Sequence, residues 1–209
     1  MKQLFSNFLL IFSLIAFSQN DQKAIELLER VSSKIDLASI YKVEFSYHAD
    51  ENIDQKQKGD VVIKNDKYVL NFLGIKQISD SKFIYTIVAE NKEVIVSNIS
   101  ESKNIILNPS EIFKFYRTGY YVKEIKIKDE PNLFIKYLKL TPVNENTEIS
   151  HLLVAVNTKK NDIAKVIEFG KNNSKITLEI NNIYYNLKFD ENIFIFNKND
   201  YPKYYIDKL

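Results

Sequence analysis

Two periodicities divide the chain. The first is helical and runs over residues 20–40, where Ala24, Leu28, Val31, Ile35 and Ala38 recur at steps of four and three with Leu27 beside them. Glu26, Glu29, Arg30 and Lys34 take the opposite face, and Asn20 or Asp21 can cap the start. From Tyr41 the period drops to two. Tyr41, Val43, Phe45 and Tyr47 alternate with Lys42, Glu44, Ser46 and His48, the signature of a half-buried strand.

The clearest hairpin reads KGDVVIKNDKYVLNF over residues 58–72. Asn65-Asp66 forms its turn, because both types tolerate the positive φ that a two-residue hairpin loop demands. On its second arm Tyr68, Leu70 and Phe72 share one face, while Lys67 and Asn71 share the other. Further strands are expected over residues 83–88, 93–99, 121–126, 134–141, 151–157, 164–169, 174–180 and 192–196. Asn108-Pro109-Ser110-Glu111 opens a second, short helix through Ile112, Phe113, Phe115 and Tyr116, which Gly119 can end. The expected class is α+β, mostly β: an antiparallel meander of about ten or eleven strands, curled into a barrel or half-barrel with its helices on the concave side.

The first residues read differently from the rest. Lys2 precedes apolar runs that end at Ala16-Phe17-Ser18, the layout of a signal peptide cleaved after Ser18. Polar Ser6, Asn7 and Ser13 interrupt that region too often for a membrane span. The expected division is therefore a cleaved segment, 1–18, and one domain, 19–209, released as a soluble monomer. Loss of Lys2 takes the formal charge from +2 to +1, a balance without a global pull on nucleic acid or anionic lipid. The chain has no Cys, which removes thiolate catalysis and thiolate metal sites.

Candidate chemistry is sparse. His48 and His151 lie far apart with no second ligand at metal spacing. No phosphate-binding loop, dinucleotide fingerprint, nucleophile elbow or zinc-protease motif occurs. The expectation is a protein that is not an enzyme, with no metal and no cofactor. Aromatic residues are abundant instead, with 13 Tyr and 14 Phe. Val43, Phe45, Tyr47, Ile63, Tyr68, Leu70 and Phe72 would line the concave face. Leu27, Leu28 and Val31 on the first helix, with Ile112, Phe113 and Tyr116 on the second, would close over it. Pattern alone leaves two readings open: a packed core, or an apolar space for a ligand.

The order of features resembles the LolA-type periplasmic carriers of outer-membrane lipoproteins. The matching stretches are Val31-Ser32-Ser33-Lys34-Ile35, Tyr41-Lys42-Val43-Glu44-Phe45 and Gly59-Asp60-Val61-Val62-Ile63-Lys64. They continue with Ile78-Ser79-Asp80-Ser81-Lys82-Phe83-Ile84-Tyr85, Asn108-Pro109-Ser110-Glu111-Ile112, Leu138-Lys139-Leu140-Thr141-Pro142 and Asn192-Ile193-Phe194-Ile195-Phe196. Their order and spacing over nearly the whole mature chain carry the resemblance. It implies an unclosed antiparallel β-barrel, a helical lid and a cavity for lipoprotein acyl chains. It also implies two partners: an ATP-driven inner-membrane extractor that hands over cargo, and an outer-membrane acceptor.

One departure is specific. Well-studied members place an arginine followed by proline in the turn after the Gly-Asp strand, where it latches the lid. Here that turn is Asn65-Asp66, and the only arginines are Arg30 and Arg117. Asn65, Lys64, another donor, or apolar contact alone must hold the lid. The alternatives in function are a related periplasmic lipid- or glycolipid-binding protein, or an envelope-stress sensor of the same architecture.

Overall fold

The helical stripe folds as expected in a computed structural model of the chain, which describes residues 21–49, 56–99, 116, 118–128 and 132–208. Helix α1 spans Gln22–Asp36, and Asp21 is its N-cap, with the carboxylate accepting from the backbone N–H groups of Lys23 and Ala24. The signal segment and almost all of the expected second helix, Ile112 and Phe113 included, lie outside the described residues.

Among the described residues twelve strands follow: β1 Tyr41–Ala49, β2 Gln57–Lys64, β3 Lys67–Phe72, β4 Ile75–Ser79, β5 Phe83–Val88 and β6 Glu93–Asn98, then β7 Tyr120–Ile125, β8 Ile135–Pro142, β9 Ile149–Asn157, β10 Asp162–Gly170, β11 Lys175–Tyr185 and β12 Tyr205–Lys208. They form one sheet in the order β12-β6-β5-β4-β3-β2-β1-β11-β10-β9-β8-β7. The two meanders, β1 to β6 and β7 to β11, join where β1 pairs with β11. The ends β12 and β7 do not pair with each other, so the barrel is unclosed. The predicted hairpin holds in detail: Lys64 faces Lys67, and Asn65 takes φ 53°.

The sequence pattern misses three features. β4 is not evident as a strand, because its alternation is masked: inner positions Ile75, Gln77 and Ser79 mix polar with apolar, and outer Ile78 is buried. Residues 192–196, expected as a strand, instead form a 3-10 turn at Glu191–Phe194, capped by Asp190. Its alternating apolar residues arise from packing on a sheet face, where Phe194 meets Ile40, Val62 and Val69. β12 is the third, and it pairs parallel to β6, the one parallel pair among the described residues.

α1 covers the inner face of the sheet. Its buried stripe joins Val122 of β7, Leu138 and Leu140 of β8, Leu152 and Val154 of β9, and the inner residues of β1 to β3 in one cluster. The outer face is covered only in part. Residues 193–206 lie over β2 to β6, where Phe196 stacks on Tyr85 at 4.5 Å and on Tyr201 at 5.4 Å.

Candidate functional site

Antiparallel pairing settles which side chains share the inner face. Val43 lies opposite Val61, Phe45 opposite Gly59, and Tyr41 opposite Ile63. Across the next ladder Gly59, Val61 and Ile63 meet Phe72, Leu70 and Tyr68. Directly paired residues project from the same face, so the predicted lining residues of three strands form a continuous field. Phe72 is its aromatic centre, with ring centroids 5.4 Å from Phe45 and 5.3 Å from Tyr47. Gly59 makes room for this packing, because the Phe45 ring lies where a Cβ at Gly59 would project.

Leu27, Leu28, Val31, Val43, Phe45, Tyr47, Ile63, Tyr68, Leu70, Phe72 and Tyr116 all belong to this one cluster. Leu28, Val31, Ile63 and Tyr68 are almost wholly buried, whereas Tyr47, Leu70 and Phe72 are half-buried. The sequence pattern locates only half of the field. Leu138, Leu140, Leu152, Val154 and Val166 supply the other half from β8 to β10. Their alternation is visible in the sequence, but nothing in it says which face turns toward the helix.

Polar groups hold α1 at three places, at its two ends to the sheet and at its middle to Tyr116, which precedes β7. At its start, the Asp21 N–H donates to the Val122 carbonyl at 2.8 Å, and the Asp21 carboxylate accepts from Glu124 N–H at 3.4 Å. At its middle, the Ser32 and Tyr116 hydroxyls share a buried hydrogen bond of 2.6 Å. Tyr116 also donates to the Leu28 carbonyl at 3.0 Å. At its end, Lys34 Nζ donates to Asp162 Oδ1 at 2.6 Å and to the Lys160 carbonyl at 2.9 Å. Tyr185 donates to the same Asp162 oxygen, and the Lys34 ammonium sits 4.4 Å from the Tyr185 ring centroid. Burial, then the neighbouring Asp162 carboxylate, pushes the Tyr185 hydroxyl pKa up.

The Asn65-Asp66 turn contributes to none of these ties. Lys64 pairs instead with Glu191 of the C-terminal segment. Among the described residues, the donors that hold the helix are Lys34, Tyr116, Ser32 and backbone groups of residues 21 and 124.

The inner face carries a few polar groups that pattern reading passes over. Tyr68 donates to Gln77 Oε1 at 3.4 Å, and Gln77 Nε2 donates to Thr86 at 3.1 Å. Burial pushes the Tyr68 hydroxyl up to about 12. On β10, Glu168 stands opposite Leu152 and Ile176 on the inner face, and burial holds its carboxyl above the ordinary range.

The two histidines project from the outer face on different strands. His48 is buried with no partner for Nδ1 among the described residues, and His151 stacks on Phe169 at 4.5 Å. Burial, then Lys139, lowers the His151 pKa. Among the described residues no three His, Cys, Asp or Glu side chains are placed to share a metal ion. An open groove of about 800 Å³ lies along residues of β1 to β4 and β11, lined by Glu44, Lys58, Asp60, Asn71, Lys76 and Asn182 among others. Its polar side chains bond one another, as in Asn182 to Glu44 at 3.0 Å and Asn71 to Asp60 at 3.3 Å, beside apolar Phe45, Phe72, Leu73 and Ile75.

No family model and no curated protein matches the sequence. Solved structures do match. An uncharacterized conserved protein from Thermus thermophilus superposes with TM-score 0.58 at 10% identity, over 90% of this chain and 100% of that one. A putative outer membrane lipoprotein-sorting protein domain from Vibrio parahaemolyticus superposes with TM-score 0.51 at 13% identity, over 87% of this chain and 99% of that one. A LolA superfamily protein from Nitrosomonas europaea is similar at TM-score 0.44 and 12% identity, over 82% of this chain and 97% of that one. The first two likenesses show the fold, an unclosed antiparallel half-barrel with a helix across its inner face.

Proposed function

We propose that this chain is a periplasmic carrier that holds the acyl chains of lipoproteins and moves them from the inner to the outer membrane. The observation that carries the reading is the continuous apolar inner face, covered by the apolar stripe of one amphipathic helix. A helix of 15 residues tied at three places can leave the sheet without unfolding it, and acyl chains can then take the place of its stripe. Three chains of about sixteen carbons, at ~0.8 kcal/mol per CH₂, give a large drive to fill such a face. The chemistry requires shielding and release and no covalent step.

In this reading the signal segment exports the chain, an ATP-driven inner-membrane extractor loads it and an outer-membrane acceptor unloads it. One observation favours a second reading. The Tyr68, Gln77 and Thr86 hydrogen bonds at the margin of the apolar field suit a ligand with a polar head, such as a lipid or glycolipid.

Mass spectrometry of the native ligand decides between the two. Triacylated peptide on the purified protein supports the lipoprotein carrier, and free lipid or glycolipid supports the second reading. Leu28→Glu and Phe45→Glu place a charge in the apolar field and are expected to abolish uptake. Uptake retained by both folded variants overturns the assignment of the inner face. Normal sorting of lipoproteins after depletion of the protein overturns the carrier.

A further inference from the structure

The outer face has two unlike halves. Over β2 to β6 it is covered by residues 193–206, which bury its apolar side chains in two small clusters. Over β7 to β10 the outer side chains Tyr137, Leu153, Ile167 and Phe169 are half-buried and belong to none of the packed clusters. The ladder places Lys123 opposite Lys139, Lys139 opposite Leu153, and Leu153 opposite Ile167. Two like charges thus stand face to face on neighbouring strands, an arrangement that costs stability in isolation. Among the described residues no carboxylate pairs with either lysine.

Charge on this half is one-sided. With the neighbouring β11 included, its outer positions hold Lys123, Lys139, Lys165 and Lys175 beside the carboxylate of Glu179. Glu179 is already engaged by Lys56 at 2.6 Å and Lys165 at 3.3 Å. Although burial alone would raise it, these two lysines hold its pKa below the ordinary range. The whole chain, by contrast, is nearly balanced, with 29 basic against 27 acidic residues. The excess is local.

We propose that the outer face of β7 to β10 docks an acidic protein partner. Carboxylates of the partner sit between Lys123 and Lys139, and its apolar side chains cover Leu153 and Ile167. Leu153 and Ile167 are half-buried beside the lysines, so a partner bringing its own apolar ridge and carboxylates gains from both burial and charge. A second copy of the chain presenting the same face would set lysine against lysine. The surface is separate from the inner face, so the proposal stands or falls independently of the lipid cargo.

The test is photo-crosslinking in cells that make the full chain, with p-benzoylphenylalanine at Leu153 or Ile167 and at Asn71 as a control. A protein adduct is expected at the first two positions and not at the third. Lys123→Glu/Lys139→Glu is expected to lower the adduct at least ten-fold, and the milder Lys139→Gln about three-fold, with an unchanged circular dichroism spectrum. The cross-linked peptide is expected to carry Asp or Glu, whose replacement by Lys restores the adduct to the charge-reversed chain. Uptake of an acylated peptide by the purified double variant stays unchanged. No adduct, or one indifferent to charge reversal, overturns the proposal. So does lysine-dependent sedimentation with phosphatidylglycerol vesicles in place of a protein adduct.

Discussion

The hydroxyls of Ser32 and Tyr116 lie 2.6 Å apart, both buried, and join helix α1 to a residue 84 positions further along the chain. Tyr116 also reaches the Leu28 carbonyl one turn earlier, so a single phenol grips two turns of the helix. In the LolA-type resemblance a turn arginine latches the lid. Here the Asn65-Asp66 turn is a plain hairpin loop, and Ser32 with Tyr116 is the buried tie on α1.

Tyr116→Phe removes both bonds and keeps the ring. Buried polar groups left without partners cost about 1–3 kcal/mol, and that loss is expected in urea unfolding. If the tie holds the helix down, α1 amides exchange faster with solvent in the variant while those of β9 and β10 do not. Uniform acceleration across the sheet would mean that the tyrosine stabilises the fold as a whole and does not act on the helix.

Gly59 is fixed by packing. A methyl group there would fall 2.5 Å from Phe45 Cζ and 2.9 Å from the Asn71 carbonyl oxygen. The ring can turn away, but the carbonyl belongs to the β3 ladder and cannot. Gly59→Ala is expected to cost about 1–3 kcal/mol, the range for overpacking. Combining it with Phe45→Leu is expected to recover part of that loss, and a double-mutant cycle measures the coupling. Strict additivity would show that the Phe45 contact is not the source of strain.

Glu168 sets a pH dependence. Burial raises its folded pKa, so the folded protein holds the proton to higher pH than the unfolded chain does. The group's contribution is therefore fully present below the unfolded value of about 4.3, and is lost as pH rises from there through the folded value. Glu168→Gln is expected to remove that decline, making the variant relatively more stable at neutral pH than below pH 4. Urea midpoints measured across this range check it, and parallel curves for the two proteins would refute it.

The legible part of this fold is whatever a local period can encode. α1 shows in its four-and-three spacing, and the hairpin of β2 and β3 in its turn residues and alternation. What stays hidden depends on partners distant in sequence. β4 has mixed faces because its outer Ile78 is covered by the C-terminal segment, and its inner Gln77 bonds Thr86 across the sheet. The candidate site is half legible for the same reason. Alternation names Leu138, Leu140 and Leu152 as one face of their strands, but only the β1–β11 ladder turns that face toward α1. Glu168 escapes notice because an isolated carboxylate in a strand reads as solvated until its neighbours are known.

The C-terminal segment makes the last prediction, because Phe194, whose alternating neighbours suggest a strand, is instead an anchor. Its side chain is 1% exposed and packs on Val62 and Val69, which project from the outer face of the same hairpin whose inner face carries Ile63 and Tyr68. The hairpin is thus clamped from both sides: by the α1 cluster within, and by Phe194 without. Phe194→Ala opens the outer clamp alone and is expected to cost about 3–5 kcal/mol. The salt bridge of Lys64 with Glu191, three residues before Phe194, is exposed and cannot substitute for that burial. Lys64→Ala is therefore expected to cost less than about 1 kcal/mol. Chemical denaturation of the two variants checks the contrast. Equal losses would mean that the ion pair, and not the aromatic ring, fixes the segment to the sheet.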